Sequence, residues 1–359
     1  PPNVRMRRIV GMSPDEFMAF RKSLNPRELK AAEEGLSPTQ RETFEALQGG
    51  PRMVGTELLQ SRMLRDIYSE RQLQAVMTDF WLNHFNVYLR KNQNEPYLLP
   101  AFERDVIRPN ALGKFEDLLV ATAKSPAILV YLDNWESIGP DSVVAQNAAR
   151  AAQRVKNPNA KQALKDRGLN ENYGRELMEL HTLGVDGGYT QQDVTELARV
   201  LTGWSIARPD DGGGFVFRAA LHDTKSKKVL GNSFAPGGGI GEGERMIHIL
   251  AHSPATAHHI AFQLCQRLVA DDPPKALVDR VAGRFLATDG DLRETVRAVI
   301  QSPEFFDPRY YGSKMKSPFE YVVSSIRATG SEMERPATLA RQLQQMGEPL
   351  YLCQPPTGY

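Results

Sequence analysis

The chain has few cysteines, no long hydrophobic run and almost no net charge. Only Cys265 and Cys353 occur among its 359 residues, so a disulfide framework is excluded and a zinc site built on thiolates is not expected. No apolar stretch approaches the ~20 residues that span a bilayer. Lys and Arg number 44 against 43 Asp and Glu, and this balance argues against nucleic acid or an anionic membrane as a partner.

Several familiar catalytic motifs are also missing. The sequence has no GxSxG elbow, Walker-type phosphate loop, GxGxxG after a strand, or HExxH. The glycine-rich "GGGIGEGE" follows no apolar strand, so nucleotide binding is disfavoured. The chain opens at "PPNVRMRR" without a Met or a signal peptide, and we expect a processed or trimmed start.

Helical periodicity runs along most of the chain and predicts a mainly α protein, a multi-helix single domain with a small β-hairpin or flap insertion. Short surface helices are expected between Asp15 and Leu47, starting at Asn25-Pro26 and Ser37-Pro38. Thr56–Arg90 reads as one continuous amphipathic helix, and the polar stretch 139–168 as a mobile excursion. We divide the domain into an N-terminal helical segment (1–55), a helical core (56–204), a Gly-rich β flap (205–243) and a C-terminal helical part (244–359).

The stretch "NENYGRELMELHTLGVDGGYTQQDVTELARVLTGW" (170–204) predicts a helical hairpin with two acids on its first helix. On a helical wheel, Glu176 falls inside an apolar arc and Glu179 lies about 60° to its side. The arc consists of the residues expected to face the core, Tyr173, Leu177, Leu180 and Leu183. A capping box at Thr190 and Asp193 predicts the start of the second helix.

Burying two carboxylates without compensation costs several kcal/mol, and three arrangements relieve this cost. The pair can share a proton, which raises one pKa toward the range of a general acid. A divalent cation can bind to Glu176, Glu179 and His181. Alternatively, Lys or Arg side chains, such as Arg175, pair with the acids in a structural network. The sequence leaves all three open, with no cofactor as the first expectation and a divalent metal ion as the alternative.

Other polar groups have both a structural and a functional interpretation. His84 lies on the apolar face of its helix. It is either a core residue whose ring nitrogens are hydrogen-bonded or an acid/base group. His222-Asp223 is either a turn or a dyad over a cleft. Asp133-Asn134-Trp135 is either a turn at a helix end or a polar group with an aromatic platform for a sugar ring.

The 170–204 motif resembles the bacterial family catalogued as domain of unknown function 1800. Further matching pieces are "FWLNHF" (80–85), "VYLDNWES" (130–137), "HDTKSKKVLG" (222–231), "AHSPATAHHIAFQLCQRLVADDPP" (251–274), "TDGDLRETVRAVIQSPEF" (288–305), "KSPFEYVVSSIRATG" (316–330) and "MGEPLYLCQPPTGY" (346–359). The resemblance implies an exported, mostly helical protein, secreted or periplasmic, often encoded beside a sulfatase-like family, and it assigns no reaction. The matching motif positions are His84, Asn134, Asn172, Arg175, Glu176, Glu179, His181, Asp193, Trp204, His222 and Asp223.

The leading hypothesis is an exported hydrolase that acts on a polymer, with a polysaccharide expected, through an acid/base or nucleophile pair of Glu176 and Glu179. Substrate would lie between the helical body and the Ser205–Gly243 flap. The supporting catalytic groups are His84, His222 and Asp223, and the substrate-binding residues are Asp133, Asn134, Trp135, Asn172, Arg175 and Trp204. The alternatives are a metal-dependent enzyme with Glu and His ligands, and a non-enzymatic scaffold or partner of a co-secreted protein.

Overall fold

A computed structural model describes residues 50–154, 168–208 and 213–359, together with isolated positions among the first 49. The surface helices predicted between Asp15 and Leu47 lie mostly outside the described residues. Their two predicted starts are described, and both side chains make the expected bond. Asn25 Oδ1 and Ser37 Oγ each accept a hydrogen bond from the backbone N–H three residues further on, at 3.0 and 3.2 Å. Both residues are therefore N-caps, as predicted.

The first half of the domain is helical, with one break that the sequence pattern did not predict. Thr56–Arg90 is not one continuous helix, because side chains at 69–72 take up backbone groups that a helix would need. Ser69 Oγ accepts the Arg71 N–H, and Gln72 Nε2 donates to the Ser69 carbonyl. The helices are α1 (Gly50–Tyr68), α2 (Gln72–His84), α3 (Glu95–Ala101) with a π-helical continuation (Phe102–Ile107), α4 (Phe115–Ala123), α5 (Pro126–Tyr131), α6 (Val143–Arg154), α7 (Asn172–Glu179) and α8 (Gln191–Val200).

The predicted excursion 139–168 is helical in its first part, where α6 lies, and residues 155–167 are outside the described residues. The predicted flap consists of two antiparallel hairpins rather than one. Strand β1 (Trp204–Ile206) pairs with β2 (Phe215–Phe217), and β3 (Lys227–Val229) pairs with β4 (Asn232–Phe234). The chain then continues through α9 (Ile240–Ala251), α10 (Pro254–Leu268), α11 (Lys275–Ala287), α12 (Leu292–Ile300), α13 (Pro318–Thr329) and α14 (Pro336–Gln345).

Helix starts follow the sequence signals closely. Thr190 and Ser317 each form a capping box with the acid three residues further on, and Asp291 accepts the N–H of Glu294. Most of the buried apolar side chains form one contiguous cluster from α1 to α14, so the protein is a mainly α single domain. None of the described helices combines the length and hydropathy that a membrane span requires.

Helix α7 is rotated relative to the predicted wheel. Its buried face consists of Tyr173, Gly174, Leu177 and Met178, while both acids are only half-buried. Gly174 explains the rotation, because a Cβ at this position would lie 3.0 Å from the Val194 carbonyl oxygen on α8. The backbones of α7 and α8 approach closely along this glycine. The prediction that Glu176 points into the core is therefore wrong, and the two acids lie on the flank of the helix.

Candidate active site

A cavity of about 1080 Å³ lies between α2, α10, the start of α13 and the C-terminal segment 346–359. Met315 and Tyr321 on its wall are 89% and 58% exposed, so the cavity opens to solvent. Its walls carry charged groups of both signs. The charged lining residues are Arg62, Asp79, Glu179, Arg267, Asp271, Lys314, Lys316, Glu320 and Glu348.

The carboxylate helix contributes one of its two acids to this cavity. Glu179 is among the lining residues, and Glu176 is not. Glu179 Oε2 accepts a hydrogen bond of 2.9 Å from the Tyr189 hydroxyl. Arg175 does not pair with either acid, because its guanidinium donates to Gln191 Oε1 at 2.6 Å. Within the described part of the chain, neither acid forms an ion pair, so the structural network considered from the sequence is absent there.

The two acids nevertheless influence each other electrostatically. Burial raises the pKa of Glu176, repulsion from Glu179 raises it further, and Arg175 opposes both effects. Burial and the bond to Glu179 raise the pKa of Tyr189 to about 12, so its hydroxyl keeps its proton and donates to Glu179. The raised pKa of Glu176 has the direction that the proton-sharing alternative predicts, and the described residues show no hydrogen bond between the two acids.

His84 lines the cavity but both of its ring nitrogens are engaged. Burial lowers its pKa to about 3, so the ring is neutral. Nε2 lies 3.2 Å from the His181 carbonyl oxygen and must donate to it, which leaves Nδ1 as an acceptor. Gln263 lies 2.8 Å from Nδ1, and its side-chain amide must therefore present its NH₂ group there. These bonds favour the structural interpretation of His84, in which its ring is held in place on the cavity wall by hydrogen bonds.

His181 does not form a metal site with the two acids. Its ring is buried, and burial together with His84 and His259 holds its pKa well below the usual value. Where the structure describes the chain, the ligand atoms of Glu176, Glu179 and His181 do not form a group within 4.8 Å. The described residues therefore show no preformed metal centre on this helix.

His222 and Asp223 belong to a buried network beneath the hairpins, outside the cavity. Asp223 Oδ1 accepts from Arg199 at 2.8 Å, and His222 Nδ1 donates to the Thr202 carbonyl at 2.8 Å. Lys227 is the first residue of β3, and its buried ammonium group pairs with Glu242 at 2.7 Å. None of the described residues between Ser205 and Gly243 lines the cavity, so the cavity does not lie in the cleft that was expected between flap and body.

The residues predicted to bind substrate are dispersed, and none of them lines the cavity. Asn134 is buried and donates to the carbonyls of Leu201 and Trp204, at 3.3 and 3.2 Å. Trp204 has no exposed surface and packs against Gly243, so it cannot stack on a ligand. Asp133 is exposed in a left-handed turn (φ 58°) and pairs with Lys91. Asn172 is exposed, and Trp135 and Arg175 are half-buried.

Glu348 and Glu95 are two of the buried acids that sequence reasoning missed; Asp66, Glu103 and Glu242 are others. Glu348 lines the cavity, and its Oε2 accepts a 2.6 Å hydrogen bond from the Phe319 N–H at the start of α13. Burial raises its pKa, against the effect of that hydrogen bond. Glu95 is fully buried at the start of α3, outside the cavity. No local sequence signal marks either acid. Glu95 stands in the first turn of a helix and Glu348 stands before a proline, and acids are common at both kinds of position.

The fold and the cavity define a mainly α, single-domain protein. Its open, charged cavity is lined by the half-buried Glu179 and the buried Glu348. The chain matches the family described as protein of unknown function, DUF1800, over residues 7–359, and it belongs to that family. The resemblance seen in the 170–204 motif is thereby confirmed. No curated protein and no solved structure matches the chain.

Proposed function

We propose that the protein is an exported hydrolase that cleaves a polymer, with a polysaccharide as its substrate class and the cavity as its active site. The observation that carries the proposal is Glu179, a half-buried carboxylate on the wall of an open cavity, with no cation paired to it among the described residues. Unpaired acids in clefts are candidates for acid/base chemistry, since structural carboxylates are usually neutralised.

The size of the cavity supports a substrate larger than a single small molecule. Ligand pockets commonly occupy about 300–1,000 Å³, and this cavity reaches about 1080 Å³. It also opens to solvent along Tyr321 and Met315, so part of a longer chain can remain outside it.

Aromatic rings on the cavity wall favour a sugar polymer. Tyr321 and Tyr359 line the cavity and are 58% and 55% exposed. A tyrosine offers an apolar face and a polar hydroxyl, which suits the mixed surface of a sugar ring. These two residues replace Trp135 and Trp204 as the proposed stacking surfaces.

Glu179 and Glu348 are assigned the two carboxyl roles of hydrolysis. Glu348, whose pKa burial raises, donates a proton to the leaving oxygen as the bond to it breaks. Glu179 takes the proton from the attacking water, or attacks directly and is released by water in a second step. Glu176 lies outside the cavity, and the neighbouring Glu179 raises the pKa of Glu176, so Glu176 has no direct role in the reaction.

The test is release of reducing ends from a panel of purified polysaccharides that includes cellulose, xylan, chitin, starch and peptidoglycan glycan. Glu179→Gln and Glu348→Gln should each lower the rate by about 10²-fold or more while the melting temperature changes little. Glu171→Gln is the matched control, since this acid flanks the same helix and contacts Gln191 and Thr195 rather than the cavity. Wild-type rates in Glu179→Gln, or no product from any polymer, would contradict the proposal.

A second candidate function is a non-enzymatic partner of a co-secreted sulfatase-like protein. It is favoured by the internal pairing of Asp223, His222 and Lys227, which a scaffold also requires. It predicts a stable complex in a pull-down with that protein, and equal complex formation by wild-type and Glu179→Gln proteins.

A further inference from the structure

Three potential metal ligands converge where α4, α9 and the α11–α12 turn meet. Glu116 lies in the first turn of α4, His248 in the last turn of α9, and His252 is the C-cap of α9. One ligand atom from each of the three lies within 4.8 Å of the other two. The histidines are four residues apart, which places both side chains on the same face of the helix. None of the three lines the cavity.

We propose that Glu116, His248 and His252 bind one divalent transition-metal ion, with Zn²⁺ as the ion that fits best. Two imidazoles and a carboxylate are ligands that Zn²⁺ takes readily, and Ca²⁺ or Mg²⁺ would require a set made of oxygen atoms. This site is independent of the proposed hydrolase activity, and it fastens α4 to the end of α9.

The spacing of the ligand atoms suits a tetrahedral ion. Bonds of about 2.0–2.1 Å place neighbouring ligand atoms about 3.3 Å apart around zinc. His248 Nδ1 lies 2.9 Å from Glu116 Oε1, and His252 Nε2 lies 3.9 Å from Glu116 Oε2. These two distances, each to a different oxygen of Glu116, fall on either side of the ideal value, and the three ligand atoms lie within 4.8 Å of one another.

The hydrogen bond on the other ring nitrogen of His252 orients it for a metal. Nδ1 lies 2.9 Å from the His248 carbonyl oxygen and donates to it, which leaves Nε2 as the ligand atom. Metal-binding histidines commonly have such a backbone partner, because it fixes the tautomer and the ring orientation. Asp289 Oδ1 lies 2.7 Å from Nε2, close enough to become a fourth ligand. Lys114 Nζ lies 3.5 Å from the other oxygen of Asp289, so this lysine competes with a bound ion for the Asp289 carboxylate.

Backbone hydrogen bonds already hold the contributing segments together. The Phe115 N–H donates to the Gly290 carbonyl at 2.8 Å, and the Leu292 N–H donates to the Gly113 carbonyl at 2.9 Å. These bonds fix the start of α4 against the turn that carries Asp289. Little ordering is therefore needed when the ion binds, which favours affinity.

The test is a calorimetric titration of chelator-treated, full-length protein with Zn²⁺ alone, followed by thermal unfolding. We expect one ion per chain and, at a hundredfold excess over Kd, a rise in Tm of about 3–4 °C. His248→Ala and His252→Ala should each weaken binding more than tenfold, since losing even an outer hydrogen-bond partner of a ligand costs about 10–100-fold.

His258→Ala is the matched control. His258 on α10 is also exposed, and its Nε2 lies 3.7 Å from the carboxylate of Asp279 on the neighbouring α11. It should bind Zn²⁺ like the wild type. If a histidine variant unfolds, Glu116→Gln, at a half-buried position with the same side-chain shape, provides the same comparison. Equal affinity of wild type, His248→Ala and Glu116→Gln, or no saturable binding, would show that these groups form ion pairs only and would overturn the proposal.

Discussion

Glu95 offers a direct test of how burial controls charge in this protein. Its side chain has no exposed surface, and both carboxyl oxygens are without a hydrogen-bond partner in the described part of the chain. Burial raises its pKa from 4.5 to about 8, with Lys91 lowering it and Asp133 raising it by smaller amounts. Near neutral pH the folded protein therefore holds a proton on Glu95 that the unfolded chain has released.

The sign of the pH effect follows from this difference. Because the native state binds more protons between pH 4.5 and about 8, the free energy of unfolding falls as the pH rises through this window. At about 1.4 kcal/mol per pH unit, the loss is about 3 kcal/mol at pH 7 and about 5 kcal/mol above pH 8. Glu95 contributes no such loss below pH 4.5.

Glu95→Gln removes the titration and keeps the size of the side chain. Urea unfolding followed by tryptophan fluorescence at pH 5, 7 and 8.5 should show nearly equal stability at pH 5 and a variant more stable by several kcal/mol at pH 8.5. Glu103→Gln is the matched control, since Glu103 is equally buried but contacts Arg65, Arg108 and Tyr351. Its substitution should lower stability by about 3 kcal/mol at pH 7. A gap between Glu95→Gln and wild type that does not change with pH would refute the reasoning.

Further substitutions test the hairpin region by urea unfolding at pH 7. Trp204→Ala should cost about 3–5 kcal/mol because its ring is fully buried, and the half-buried Trp135→Ala should cost less; equal costs would contradict the assigned burial. Asp193→Ala should cost about 1–2 kcal/mol, since it removes a capping box and a bond to the β3–β4 turn, and an unchanged midpoint would show that neither bond matters. Lys227→Met should cost about 3–5 kcal/mol by leaving Glu242 buried without its cation, and adding Glu242→Gln should recover part of that loss.

Signals that act over three or four residues were predicted correctly. The caps at Asn25, Ser37, Thr190 and Ser317 all form, because a cap depends on one side chain and a backbone N–H two or three residues further on. Long-range packing plays little part in such bonds.

Predictions that depended on which face of a helix is buried were less successful. The wheel for α7 omitted Gly174 and Met178 from the buried face, and the close approach of α8 at Gly174 rotated both acids to the flank. A glycine has no side chain to mark an apolar face, so the pattern placed the centre of that face too close to Glu176.

The sequence by itself determined a mainly α domain, most helix starts and membership of the family. Only the tertiary structure decided that Glu179 and Glu348, 169 positions apart, share a cavity and that Glu116 meets His248 and His252. Local hydrogen bonds and periodicity are encoded within a few residues of the chain. The grouping of polar side chains depends instead on how distant helices pack, and that packing is fixed by the shape of the whole core.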